Sequence, residues 1–243
     1  MPTEAVPVSP CSAKQTERQT PRYDPHMLGG GAVVPYVVTW AGEELLSTVV
    51  VRRPEGGIGY ADETLMDRDE RGVLWTRIAT RIGAGRPLFT KLHPLRQRRA
   101  MSRLLCQVCG EPADQTDEGA LWLLPNRPGH EPNWPEGIPV MMPPVCVACA
   151  RLSVRMCPAL RSGYVAVRAR SRICGVSGAC FEPNGRSLRL VPEQDEDDII
   201  YHGQPAIRWV MATQRVRLLY GCRFVDLDRF VAAVETKQYW ESQ

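Results

Sequence analysis

Leu104-Leu105-Cys106-Gln107-Val108-Cys109-Gly110 and Cys146-Val147-Ala148-Cys149 are the stretches on which the reading of this chain turns, with 36 residues between the two cysteine pairs. Each Cys-x2-Cys knuckle directs two sulfurs from one tight turn toward a common point. Together Cys106, Cys109, Cys146 and Cys149 supply four soft ligands, the set that a tetrahedral zinc site uses. Thiolates ligate only when deprotonated. The second knuckle falls at an expected helix start, where the positive end of the helix dipole lowers thiol pKa. Gly110 permits the left-handed turn that closes such a knuckle. Four protein thiolates fill a tetrahedral ion's coordination sphere and leave no position for water, so the spacing points to structural zinc and away from zinc hydrolysis. The plainer alternative is four ordinary cysteines, two of them buried. An iron–sulfur cluster would use the same four ligands, but zinc is the commoner outcome of paired knuckles.

Working outward, residues 94 to 105 form an expected helix opening at Pro94, a good first-turn residue. Met101, Leu104 and Leu105 give it an apolar side. Arg96, Arg99 and Arg103 recur at helical spacing on another side, with Lys91 and Arg98 near. This basic face is the candidate contact for nucleic-acid phosphates. A solvated helix face, or one paired with the acidic stretch Asp195-Glu196-Asp197-Asp198, is the ordinary alternative. Between the knuckles, Ala120-Leu121-Trp122-Leu123-Leu124 reads as a strand and residues 125 to 139 as a Pro-, Gly- and Asn-rich loop. A second helix is expected from about Val147 until just before Pro158.

Upstream, residues 33 to 92 carry short β-branched runs, Val33 to Val38, Ser47 to Val51 and Gly72 to Ile78, which suggest a small antiparallel β unit. Residues 1 to 32 are rich in Pro, Ser, Thr and Gln and end in Gly29-Gly30-Gly31, the composition of a disordered arm. Downstream, Tyr164 to Arg170, Ser187 to Val191 and Ile207 to Val210 read as strands. Asp226 is a good N-cap for a closing helix with Leu227, Phe230, Val231 and Val234 on one stripe. The expected architecture is α+β: an arm (1–32), a β unit (33–92), a zinc-knuckle domain (93–160) and a β-rich segment closed by an amphipathic helix (161–243).

The knuckle, hairpin-like insert and knuckle on a helix resemble a treble-clef zinc finger, and the stretch opening at Leu104 resembles the start of an HNH-endonuclease domain over about residues 94 to 160. That resemblance implies a His general base on the insert, beside Asp or His, and ligands for a catalytic divalent ion. Here only His130 lies between the knuckles, flanked by Gly129 and Glu131, and no His follows on the helix. The family's motif therefore does not carry over residue by residue, and a relative with this sequence has lost the chemistry.

Bulk properties exclude several classes. The chain has 243 residues, 44% of them hydrophobic, enough for a substantial core. No run of 18 apolar residues exists, and the polar N-terminus lacks the apolar core of a secretory signal, so a cytoplasmic protein with no membrane partner is expected. Nine cysteines in a long chain of this kind favour metal over disulfides. The net charge of +3 is mild, and only Lys14, Lys91 and Lys237 among 30 basic residues are lysine. Codon bias of a GC-rich genome explains that; selection for bidentate phosphate contacts is the sharper alternative.

Other candidates are weaker. Cys157, Cys174, Cys180 and Cys222 could form a second metal site, but they match no common ligand spacing and read more simply as buried thiols or, for Cys174-x5-Cys180, a redox-prone pair. Trp122, Trp134, Asn126 and Asn133 suit a base-stacking or peptide-binding surface, or more simply core and loop anchors. Neither G-x-S-x-G nor a phosphate-binding glycine loop is present, and His202 reads as packing or surface. The expectation is a zinc-stabilised, non-catalytic binding or regulatory protein with DNA, RNA or a protein as partner. The alternative is an enzyme of unrecognised type, a tailoring enzyme or divergent HNH-like nuclease, with the zinc still structural. A third expectation is a redox switch in which thiolate oxidation ejects zinc.

Overall fold

The computed structural model describes residues 33–126, 133–185, 187–192 and 198–227. The arm (1–32), His130, most of the acidic stretch and the closing helix beyond Leu227 lie outside them. In chain order the first elements are β1 (Val38–Trp40), β2 (Val50–Arg52), β3 (Ile58–Tyr60), β4 (Leu74–Trp75), β5 (Pro87–Leu92) and α1 (Pro94–Arg103). Then come β6 (Gln115–Thr116), β7 (Gly119–Pro125), β8 (Pro139–Val140) and α2 (Val147–Met156). The last are β9 (Tyr164–Asn184), β10 (Ser187–Leu190), β11 (Ile200–Tyr201) and β12 (Val210–Phe224). The fold is mixed α+β and rich in sheet.

Strands from all four described segments meet in one sheet, whose main path is β4-β12-β9-β7-β6. Its spine is the long antiparallel pair β9 and β12, in register from Val210↔Cys180 to Phe224↔Val167. The first part of β9 is flanked on its other side by β7, from Ala120↔Ala169 to Pro125↔Tyr164. Its later part meets β11 and then β10. Two small antiparallel pairs, β1 with β5 and β2 with β3, stand apart from this sheet.

The apolar run at β7 is buried on both faces, which is why it reads as continuous rather than alternating. Leu121 and Leu123 pack with Cys106, Val108, Val145, Cys149, Ala150 and Ala166. Ala120, Trp122 and Leu124 pack on the opposite side with Met101 of α1, Val140, Val167, Ala169 and Leu219. The sheet therefore separates α2 and the knuckles from α1.

The outer edge of β12 is completed by a side chain. β4 pairs with it at Met211 and Ala212, and β8 at Arg217 and Leu218. In the gap between them Gln97 of α1 accepts the Arg215 N–H at 2.8 Å and donates to the Arg215 carbonyl at 2.9 Å. It also donates to the Met141 carbonyl at 2.6 Å. One turn along α1, the Met101 carbonyl accepts Arg217 Nη1 at 2.7 Å. The amide of Gln97 substitutes for a strand's peptide group.

Both helices have the expected positions. Several strands do not. Val33 to Val37 is not a strand, and β1 begins only at Val38: Pro35 has no N–H to give a ladder, and the Tyr36 and Val37 amides instead donate to Val108 and Gln107 of the first knuckle at 2.8 and 3.2 Å. Ile207 falls in a 3-10 turn, Pro205–Trp209, opened by a proline, and the strand begins only at Val210.

Candidate metal centre

The first knuckle is built by the end of α1. Leu104 caps that helix in the left-handed region at φ 51°. The Cys106 amide then donates to the Glu111 carbonyl at 2.7 Å, and the Gly110 amide returns to the Cys106 carbonyl at 2.9 Å. Gly110 has φ 73°, and a Cβ there would come within 3.0 Å of the Tyr36 ring, so both conformation and space require glycine. The Gln107 amide donates to the Pro144 carbonyl at 2.9 Å, which ties this turn to the chain entering the second knuckle.

The second knuckle is placed by the sheet. The Val145 amide donates to Leu121 of β7 at 2.8 Å, while the Val145 carbonyl accepts Asp114 N–H at 3.1 Å. Cys146 is the extended N-cap of α2 at φ −85°, and its carbonyl accepts the Ala150 amide at 2.9 Å. Cys149 therefore sits in the first turn, within reach of the helix's positive end.

These turns bring one sulfur from each of Cys106, Cys109, Cys146 and Cys149 within 4.8 Å of one another. Cys109 Sγ and Cys146 Sγ are 3.9 Å apart, and all four are free thiols rather than disulfide partners. Cys106 and Cys149 are buried; Cys109 and Cys146 are half-buried. At such spacing the thiols do not ionise independently. Hydrogen bonding from Cys109 lowers Cys106 to about 7. Hydrogen bonds from Cys106, Cys109 and Cys149 lower Cys146. Cys109 and Cys149 are pushed up, chiefly by their bonds to Cys106 and Cys146. Several thiolates at once need a cation among them, and the cluster can hold a metal ion.

The remaining described cysteines do not join a second ligand cluster. Cys157 caps the end of α2. Cys174 is buried, with its thiol raised by that burial, and Cys180 lies six residues further along the extended β9, about 20 Å away. Cys222 is pushed up to about 12 by burial and by Glu136. Trp122 is 1% exposed and Trp134 packs against the same core, so this pair forms no open stacking platform. His202 is partly buried, with its pKa lowered by desolvation.

The basic face of α1 needs correction. Arg99 and Arg103 are exposed, as is Lys91. Arg96 is not: it is 4% exposed and grips both carboxylate oxygens of Glu43 at 2.6 Å, with a further bond from Nη2 to the Val38 carbonyl at 2.6 Å. Helical spacing groups Arg96 with Arg99 and Arg103, but β1 and its following turn cover the Arg96 side. Arg98 lies over the Trp75 ring at 4.7 Å. Sequence reasoning also missed Arg215, 2% exposed, whose Nη2 meets Asp69 at 2.7 Å. No local sequence signal marks it, because its partners lie on distant segments and its core position follows from the full length of β12.

Comparison with known proteins found no family model, no curated relative and no solved structure that matches this chain.

Proposed function

We propose that this chain is a non-catalytic binding or regulatory protein whose four cysteines hold one structural zinc ion in a treble-clef-like arrangement. One observation carries the reading: four sulfurs gathered within 4.8 Å, two of them 3.9 Å apart. A tetrahedral zinc with Zn–S bonds of about 2.3 Å has S···S edges of about 3.8 Å, so the spacing fits a single ion. It is too wide for a disulfide, at about 2.05 Å. A [4Fe–4S] cluster bonds each thiolate to a different iron and a [2Fe–2S] cluster divides the four between two irons, so either spreads the set of sulfurs further apart than one ion does. The sequence of knuckle, β6–β7 hairpin and knuckle on the first turn of α2 supports the treble-clef comparison.

When bound, the ion would supply a cross-link between four points of the chain. Cys106, Cys109, Cys146 and Cys149 would occupy all its positions, so its role is to hold surfaces in place rather than to activate water. The function then resides in those surfaces, with nucleic acid or another protein as partner.

Elemental analysis of the purified chain tests this. About one zinc per chain is expected, with loss of that zinc in both Cys106→Ser and Cys146→Ser. Stoichiometric iron, or no metal at all, would overturn the proposal.

A further inference from the structure

Two loops of the β2–β4 region and the turn before β12 border two adjoining depressions. One, about 310 Å³, is lined by Arg53, Arg68, Arg71 and Arg208, with Glu55 at its side. The other, about 560 Å³, is lined by Pro205, Ile207 and Trp209 and by glycine backbone. Gly56, Ile207 and Arg208 belong to both, so the two form one groove with an arginine end and an apolar end.

The wall is a built feature. Gly57 has φ 90°, and a Cβ there would come 2.6 Å from the Arg208 carbonyl oxygen, so the β2–β3 turn sits directly on the Arg208 backbone. Trp209 is anchored against the core of Ile58, Tyr60 and Leu74. Arg68 is fixed by Glu63, to which its Nε and Nη2 donate at 2.6 and 2.8 Å, and its Nη1 donates to the Gly72 carbonyl at 2.7 Å. Arg53 donates to Glu63 at 3.1 Å and pairs with Glu55 at 2.5 Å. Arg71 and Arg208 are exposed, and among the described residues their guanidinium groups have no carboxylate or hydrogen-bond partner. Four guanidinium charges thus face two carboxylates, and two planar forks stand unengaged.

We propose that this groove binds a nucleotide unit, its phosphate on Arg71 and Arg208 and its base over Pro205, Ile207 and Trp209. Guanidinium forks match phosphate oxygens in pairs. An indole beside them offers the flat apolar surface on which a base stacks without regard to its identity. The fixed Arg53 and Arg68 add positive field at the phosphate end. The same chemistry is presented by a single-stranded nucleic acid and by a free mononucleotide. The inference rests on the binding-protein reading but not on the identity of the metal.

The test is fluorescence anisotropy of a labelled oligothymidylate with the zinc-loaded full chain at low salt, competed by thymidine monophosphate, inorganic phosphate and a phosphotyrosine peptide. The wild type binds with an affinity that falls as salt rises. Arg71→Ala with Arg208→Ala, both exposed positions, binds about tenfold or more weakly, with a salt slope lower by about 0.7, the value for one phosphate on a single strand. Arg99→Ala with Arg103→Ala binds as the wild type does. Competition by the mononucleotide at matching affinity assigns the free nucleotide; competition by unlabelled oligonucleotide alone assigns the strand; either upholds the groove. The proposal fails if the wild type does not bind, if the Arg71/Arg208 variant binds equally well, or if phosphate or the phosphopeptide competes as strongly as the oligonucleotide. Zinc content measured on the same samples separates the two readings. A zinc-bearing chain that binds no nucleotide loses the groove alone. Binding that is lost only in the Arg99/Arg103 variant moves the contact to α1 and leaves the binding-protein reading in place.

Discussion

Glu43 is a carboxylate in the interior, and its survival as an anion depends on four neighbours. Burial would raise its pKa, but the Arg96 fork, the Trp40 amide at 2.8 Å and the charges of Arg96 and His93 more than offset this and hold it low. The Arg81 amide at 3.0 Å completes the shell. Removing one partner strands the other, so Arg96→Met destabilises the chain by about 3–5 kcal/mol, read from urea unfolding at neutral pH. His93 beside it is fully buried, and burial followed by the Arg96 charge lowers its pKa. Its Nδ1 accepts the Arg96 amide at 3.4 Å, which leaves Nε2–H to meet the Ala79 carbonyl at 3.2 Å. A second proton on Nδ1 would face that amide. The pH dependence follows from these directions. Below 6.5 the unfolded chain protonates His93 while the folded chain resists, so stability is lost as pH falls from 6.5 toward the lower folded value. Glu43 adds a second stage: its contribution is complete above 4.5 and is lost as pH falls toward its depressed folded value. His202, whose pKa burial also lowers, adds to the same window, so His93→Gln should reduce the first stage to the His202 share and leave the second, measured as urea midpoints across a pH series. An unchanged first stage would remove His93 from this account.

At the scale of elements, what the sequence disclosed depended on whether local signals agreed with burial. Both helices were legible because Pro94 and Pro158 mark their limits and the knuckles fix their neighbours. β7 was legible because its apolar run is uninterrupted. β9 and β12 were found only in part. Tyr164 to Arg170 reads as a strand, but β9 runs to Asn184, and β12 carries Arg215 and Arg217 at buried positions where alternation predicts apolar residues. Three irregularities in their register further blur the period. Those arginines are satisfied by distant segments: Arg217 by Ser171 and Met101, and Arg215 by Asp69 and Ser102. No local pattern records such pairing. Gln97 is the sharpest case, a polar residue in a helix whose partners are the edge of a strand 118 positions away. Gln97→Leu keeps approximate volume and deletes the bridge, leaving the Arg215 N–H and C=O buried without partners. A loss of about 1–3 kcal/mol per stranded group is expected. A variant as stable as wild type would show that another group completes the β12 edge.

At the scale of the molecule, the cysteine cluster sits where separate parts of the chain converge. Tyr36 and Val37 dock on the first knuckle, Val145 on β7, and α2 on the face of β7 and Ala166. Four-cysteine spacing was legible from the sequence because metal ligation imposes a local rule; what surrounds the cluster was not, because Tyr164 and Ala166 of β9 and Val225 and Leu227 beyond β12 reach it from far along the chain. Residues 93 to 160 contain every ligand, yet β7 there pairs with β9 and β8 with β12. Without residues 161 to 227, the edges of both strands and one wall of the Trp122 core are exposed. A fragment of residues 93 to 160 should therefore bind zinc without folding cooperatively, because four thiolates alone retain affinity in a flexible chain while the sheet that positions them is gone. Circular dichroism with and without zinc, beside a thermal melt, checks this. The intact chain should show one transition that moves to lower temperature when a chelator removes the metal, as expected when ligand binding stabilises only the folded state. A cooperative, zinc-dependent melt in the fragment would instead make 93 to 160 an autonomous domain and reduce β9 and β12 to a platform on which it rests.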